Sequence, residues 1–162
     1  MSFGVPVLGV CYGMQLLNIK HGGTVKPGVT REYGPAKLVV TDHADLFSGI
    51  SHESQVWMSY SDTCANLAST AQIIATNEDA VPVALKWSDR CWGIQFHPEV
   101  THSHEGTAIL KNFLTKSGAT LAKFDIQDVT PGDYKVSCVM DVIGGGFMPG
   151  KGDIANLTRS EE

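Results

Sequence analysis

The sequence predicts an α/β domain, and three observations predict it. A β-branched, apolar run at residues 5–10 (V-P-V-L-G-V) passes through a tight turn at Cys11 into a segment that can continue as a helix. Short apolar runs bounded by turn-forming residues follow at 36–41, 55–59, 73–76, 83–87 and 91–96. Residues 105–114 then place Ile109, Leu110, Phe113 and Leu114 at the spacing of one helical face.

In order along the chain, residues 5–10 form a core strand and 14–20 a helix, which His21-Gly22-Gly23 ends. Residues 24–33 contain Pro27 and Gly28 and read as an irregular loop. A strand at 36–41 leads to a short helix or turn at 45–50, and the remaining strands follow, with Asp89-Arg90 as the hairpin turn between the last two. Past residue 115 the character changes. Lys116-Ser117-Gly118 makes a break, 125–132 is polar, 134–143 reads as one more strand, and Gly144-Gly145-Gly146 ends it. Two parts are expected: a main domain at 1–114 and a C-terminal extension at 115–162. The segment 145–152 approaches the phosphate-cradling pattern G-x-x-x-x-G-K-[ST], but Gly152 stands where the magnesium-holding hydroxyl belongs, so it reads as a glycine-rich tail.

At 162 residues, 43% hydrophobic and 18% charged, the chain is long enough to bury a real core. A net charge of −5 argues against nucleic acid or an anionic membrane as the main partner. The first residues have neither the basic flank nor the apolar core of a signal peptide, and a cytoplasmic location is the default expectation. Cys11, Cys64, Cys91 and Cys138 lie far apart without a C-x-x-C pair, which indicates neither a zinc ribbon nor a disulfide framework. Cys64, Cys91 and Cys138 read as small buried hydrophobes.

Cys11 has a catalytic context. Gly9 and Gly13 flank it on a strand-to-helix turn, the geometry of a nucleophile elbow, where the reactive atom stands clear and following amide N–H groups face it. The helix N-terminus is expected to favour the thiolate. A cysteine nucleophile needs a base and a group to orient it. His97 directly follows the strand at 91–96, is fixed by Pro98 and has Glu99 two positions on. In a parallel or mixed sheet the carboxyl ends of strands form the ligand crevice, so Cys11 and His97 are expected to meet there. His97, Glu99, His102, His104 and Glu105 can also be read as a metal cluster, but their spacing matches no familiar zinc pattern and no metal is expected. His102 and His104 read as a solvated turn before the following helix, and His21, His43 and His52 as surface histidines.

The segments Gly9-Val10-Cys11-Tyr12-Gly13-Met14-Gln15 and Gln95-Phe96-His97-Pro98-Glu99-Val100-Thr101-His102 together closely resemble the class I glutamine amidotransferases. Arg31-Glu32-Tyr33-Gly34, Val56-Trp57-Met58-Ser59 and the Val-Thr-His ending are most similar to the amidotransferase domain of the GMP synthase type. The resemblance covers roughly residues 4–114 and implies a flavodoxin-like sheet with helices on both faces. It implies that Cys11 attacks the side-chain amide of L-glutamine, that His97 moves protons and that Glu99 orients His97. It further implies that the Tyr12 N–H supplies part of the oxyanion hole, that Gln15 contacts the bound glutamine, and that Ser59 and Tyr60 help hold its α-amino acid end. The implied partner is an ATP-pyrophosphatase domain or subunit that aminates XMP; ATP and Mg belong to that partner, and this chain needs no cofactor of its own.

The chain departs from the family pattern in three respects. The family carries its opening strands and a glycine-rich oxyanion loop before the elbow, so the expectation is a domain lacking its first strands. Tyr60 stands where the Trp-Met-Ser stretch usually continues with His. The tail after Leu114 lacks the Ser-Gly-Gly-Val-Asp-Ser loop of the pyrophosphatase. The same elbow and His-Pro-Glu also serve amidotransferases of other synthases, such as those for anthranilate or CTP. A non-catalytic binding or regulatory module is the reading from another class.

Overall fold

In the computed structural model, which describes residues 5–118, 134–135 and 158–159, the first strand is short and leads straight into a helix. β1 (Val7–Val10) is followed by α1 (Tyr12–Lys20), β2 (Thr24–Val40), a 3-10 turn (Asp45–Phe47), β3 (Glu53–Asn66), β4 (Gln72–Asn77), β5 (Pro82–Ser88), β6 (Cys91–Ile94) and α2 (Gly106–Lys116). Six strands form a mixed sheet in the order β1-β6-β5-β4-β2-β3. β1 and β6 run parallel, with Val7 opposite Cys91 and Val10 opposite Ile94. The other pairs are antiparallel.

The chain divides into two units, Met1–Thr120 and Leu121–Glu162. In the second, β7 (Tyr134–Lys135) pairs antiparallel with β8 (Thr158–Arg159). The rest of the strand expected at 134–143, Cys138 and the glycine-rich 145–152 segment lie outside the described residues.

Helices cover both faces of the sheet. On one side α1 buries Met14 and Leu17 against Leu85, Trp87 and Cys91, each apolar side chain contributing about 1.5–3 kcal/mol. Gly9 allows this approach, because a Cβ there would lie 2.5 Å from the Gly13 carbonyl carbon and 2.7 Å from Leu17 Cδ1. A Cβ at Gly13 itself would meet nothing within 4 Å, so the two flanking glycines are not equivalent. On the other side Ile109 and Phe113 of α2 join Trp92, Ile94, Ala84, Leu46 and Phe47 in the larger core. Asp45 ties this side together by accepting from Lys86 Nζ at 2.7 Å and from Lys116 Nζ, in the last turn of α2, at 2.6 Å. The hydrogen bonds from Lys116 and Lys86 hold its carboxyl below the usual range. Among the described residues no helix is long and apolar enough to cross a membrane.

Two expectations are corrected. Residues 24–33 are not a loop: they belong to β2, which pairs with β3 from Thr24 opposite Asn66 to Val39 opposite Glu53. Pro27 itself stands in register opposite Asp62, and a register shift between Pro27 and Glu32 takes up the extra residues that follow it. His21 is not a free surface histidine, since it stacks on Trp87 with ring centroids 5.5 Å apart and lies 3.8 Å from Cys91 Sγ. Cys91 is buried as expected, and Cys64 is half-buried, its thiol pushed up to about 11 by burial.

Candidate active site

Cys11 occupies the turn between β1 and α1 at φ 53 and ψ −108, a conformation that side chains other than glycine rarely adopt and that costs about 1–3 kcal/mol. The surroundings hold it there. The Cys11 N–H donates to Ile94 O at 2.8 Å, fixing the elbow to β6, and the Met14 N–H donates to Cys11 O at 3.1 Å, opening the first turn of α1. The thiol donates toward Ser59 O at 3.7 Å. Gln95 Nε2 approaches the sulfur from a second side, also at 3.7 Å.

Burial is the largest influence on the thiol and raises its pKa above 9.0. Hydrogen bonds from the Tyr12 N–H and from Gln95 pull the other way, and the negative charge of Glu99 adds to the rise. The expectation that the helix terminus favours thiolate therefore holds only for the Tyr12 N–H, and burial outweighs it. Burial thus disfavours the thiolate at this position.

His97 lies just beyond the carboxyl end of β6, and Cys11 just beyond that of β1. Neighbouring strands stand about 4.8 Å apart, so the parallel pairing delivers both residues to one end of the sheet. His97 Nδ1 and Glu99 Oε1 are 2.7 Å apart. Because a carboxylate can only accept, this pairing puts the proton on Nδ1 and leaves Nε2 with its lone pair. The loop carrying the pair is held through its backbone: the His97 N–H donates to Trp57 O at 2.9 Å, and Ser103 Oγ donates to His97 O while accepting from the Trp57 N–H at 3.0 Å.

The remaining expected residues separate into two groups. The side chain of Tyr12 is exposed, and its backbone N–H is the group that reaches the Cys11 sulfur. Ser59 contributes its carbonyl. Gln15 is 4% exposed, and both protons of its amide nitrogen are engaged, on Asp62 O at 2.7 Å and Gln95 Oε1 at 3.2 Å. Only its Oε1 is left to accept from a ligand. Tyr60 is 5% exposed with its ring in the core, and burial, aided by the Glu32 carboxylate, drives its hydroxyl pKa upward. The Tyr60 ring is thus part of the packing.

Gln95, Ser103 and Gly106 were not singled out from the sequence. Gly106 opens α2 against Pro98, and a Cβ there would fall 2.0 Å from Pro98 O, so the helix that packs on the His97 loop can begin only with glycine. His102 packs against Trp57, ring centroids 4.6 Å apart, and Glu105 accepts from the N–H and hydroxyl of Ser51. Among the described residues no group of three or more His, Cys, Asp or Glu side chains could hold a metal ion.

The family described as glutamine amidotransferase class-I matches residues 1–117. The chain is 42% identical over 128 residues to the glutamine-hydrolyzing GMP synthase of Syntrophomonas wolfei, an alignment covering 78% of this chain and 25% of that protein. It is 48% identical over 112 residues to the corresponding protein of Cytophaga hutchinsonii, covering 68% and 22%. The chain thus spans about a quarter of the length of these curated relatives. Among solved structures, a candidate GMP synthase subunit from Thermoplasma acidophilum superposes with a TM-score of 0.67 at 29% identity, over 70% of this chain and 57% of that one. A glutamine amidotransferase from Thermotoga maritima superposes with a TM-score of 0.55 at 25% identity, over 68% and 45%.

Proposed function

The chain belongs to the class I glutamine amidotransferase family, and we propose that it hydrolyses the side-chain amide of L-glutamine as the ammonia-producing module of a GMP synthase-type enzyme. Cys11 is the nucleophile, His97 the general base and acid, and Glu99 the group that orients His97 and stabilises its charged form. One observation carries the reading: a strained cysteine elbow and a carboxylate-paired histidine leave the same end of two adjacent parallel strands.

The steps follow from the proton inventory. His97 Nε2 takes the Cys11 proton as the sulfur attacks the amide carbon, and the oxygen that becomes negative draws on the Tyr12 N–H. His97 then returns the proton to the leaving nitrogen. The C–N bond breaks, ammonia departs, and a γ-glutamyl thioester remains on Cys11. Water, deprotonated by His97, adds to the thioester carbon; the C–S bond breaks, glutamate leaves and the thiol is restored. Nothing in this sequence needs a cofactor. Gln15 Oε1 and the β3 backbone at Ser59 and Tyr60 are the groups for the α-amino acid end of the substrate. The ammonia passes to an ATP-pyrophosphatase domain or subunit, where ATP and Mg act in converting XMP to GMP, and we place the reaction in the cytoplasm.

An electrophilic glutamine analogue tests the reading directly. The folded chain should be labelled at Cys11, with free glutamine protecting it, and Cys11→Ser should take up no label. A folded sample that stays unlabelled would overturn the proposal in favour of a binding module without turnover.

A further inference from the structure

We infer that Gln95 is itself a catalytic residue, an amide donor to the Cys11 sulfur, and that Gln15 is the positioning residue that keeps its nitrogen turned toward that sulfur. The inference rests on the glutaminase reading above. Gln95 follows β6 directly; its backbone N–H donates to Val83 O at 2.8 Å, and its side chain is 3% exposed.

The two ends of a carboxamide are nearly identical in shape, so shape alone does not decide which one faces the sulfur. A relay of hydrogen bonds decides it. Asp62 O is a backbone carbonyl and can only accept, so the end of Gln15 that meets it at 2.7 Å must be the NH2. The same NH2 reaches Gln95 at 3.2 Å, so the end of Gln95 that receives it must be Oε1. That leaves the Gln95 NH2 aimed at Cys11 Sγ, 3.7 Å away. Its orientation is set by a carbonyl on β3, two side chains distant.

The arrangement discriminates between the two states of the sulfur. The resting thiol can donate to Ser59 O, a contact that only S–H makes. Once His97 removes the proton, that carbonyl no longer has a donor to accept, whereas the N–H groups of Gln95 and Tyr12 continue to donate and do so more strongly to a negative sulfur. The Gln95 contact therefore grows as the nucleophile forms, which is the condition for lowering a barrier rather than only binding. Burial works against the thiolate here, and Gln95 is the side chain that opposes that effect.

The test is the pH dependence of Cys11 alkylation by iodoacetamide in the full chain. It is read peptide by peptide so that the other cysteines do not contribute, with folding checked by far-UV circular dichroism. Gln95→Leu removes the donor, and its apparent thiol pKa should rise by about 0.5–1 unit, the weight of one hydrogen bond. Gln15→Met never touches the sulfur and should shift the profile in the same direction, which packing alone does not require. Gln95→Glu keeps the acceptor for Gln15 but turns a carboxylate toward the sulfur, and should shift it furthest. In the two Gln95 variants kcat should fall more than KM changes, whereas Gln15→Met also removes a substrate contact and should raise KM. If Gln95→Leu does not fold, the other two variants decide. Profiles that superpose on the wild type in folded Gln15→Met and Gln95→Glu overturn the inference. A wild-type Cys11 that alkylates normally but ignores the glutamine analogue overturns the glutaminase reading instead.

Discussion

Cys11 and His97 emerge at the same end of neighbouring strands, yet they are held by different means. Cys11 follows β1, which among the described strands pairs only with β6, and it sits at φ 53, ψ −108 with polar contacts to its sulfur from Ser59 and Gln95. His97 follows β6, which is flanked by β1 and β5. It needs no left-handed φ, and its backbone is fixed on both sides by Trp57 and Ser103. Both residues are partly buried, but only Cys11 carries a strained backbone, while His97 is held without strain. A thiol must stand clear of its own backbone to reach a carbonyl carbon, whereas an imidazole reaches out on its side chain from an ordinary loop.

Three substitutions put this contrast to the test. Glu99→Gln should have the largest effect, lowering kcat for glutamine by about two to four orders of magnitude because the imidazole loses its orienter and the support for its charge. The same change removes a negative charge that raises the Cys11 pKa, so Cys11 alkylation should begin at lower pH than in the wild type. Steady-state kinetics beside an alkylation profile would show the opposed responses. Two parallel losses would mean that the elbow and the base loop are one mechanical unit.

Gly106→Ala comes next. The new Cβ collides with Pro98 O, and overpacking of this kind costs about 1–3 kcal/mol. Denaturant unfolding should register that loss, and kcat should drop while the iodoacetamide reactivity of Cys11 stays near wild type, because the displaced element is the base loop. Unchanged stability would show that the α2 start yields freely.

Cys11→Gly should be the smallest change and the opposite in sign. A glycine relieves the strained φ and ψ, so the inactive variant should gain about 1 kcal/mol, visible as a raised midpoint in thermal unfolding. A loss of stability instead would mean that the sulfur contacts outweigh the backbone strain.

How much of this was legible in the sequence depended on how local the cause was. The elbow, the Asp89-Arg90 hairpin and the His97–Glu99 pair are local: each is fixed by neighbours within a few residues, and each stands in the structure as a spacing argument expects. Gln95 and Gln15 meet across 80 residues of sequence, and no pattern within either segment announces the other. Gly106 reads as a poor helix former until Pro98 is brought against it. The segment 24–33 failed for a related reason. Proline and glycine mark loops, but a register shift against a long partner strand tolerates both. The place of Tyr60 in a motif says nothing of its ring, which lies in the core.

Helix α2 links the base loop to conditions far from catalysis. Its first residue abuts Pro98, beside His97, and Lys116 near its other end is tethered to Asp45. Because the Asp45 carboxyl is held below 3.8 in the folded chain, its share of stability is present above that pH and is lost as the pH falls through the lowered value. Protonating Asp45 would release the tether at the far end of the helix whose first residue abuts the loop that carries His97.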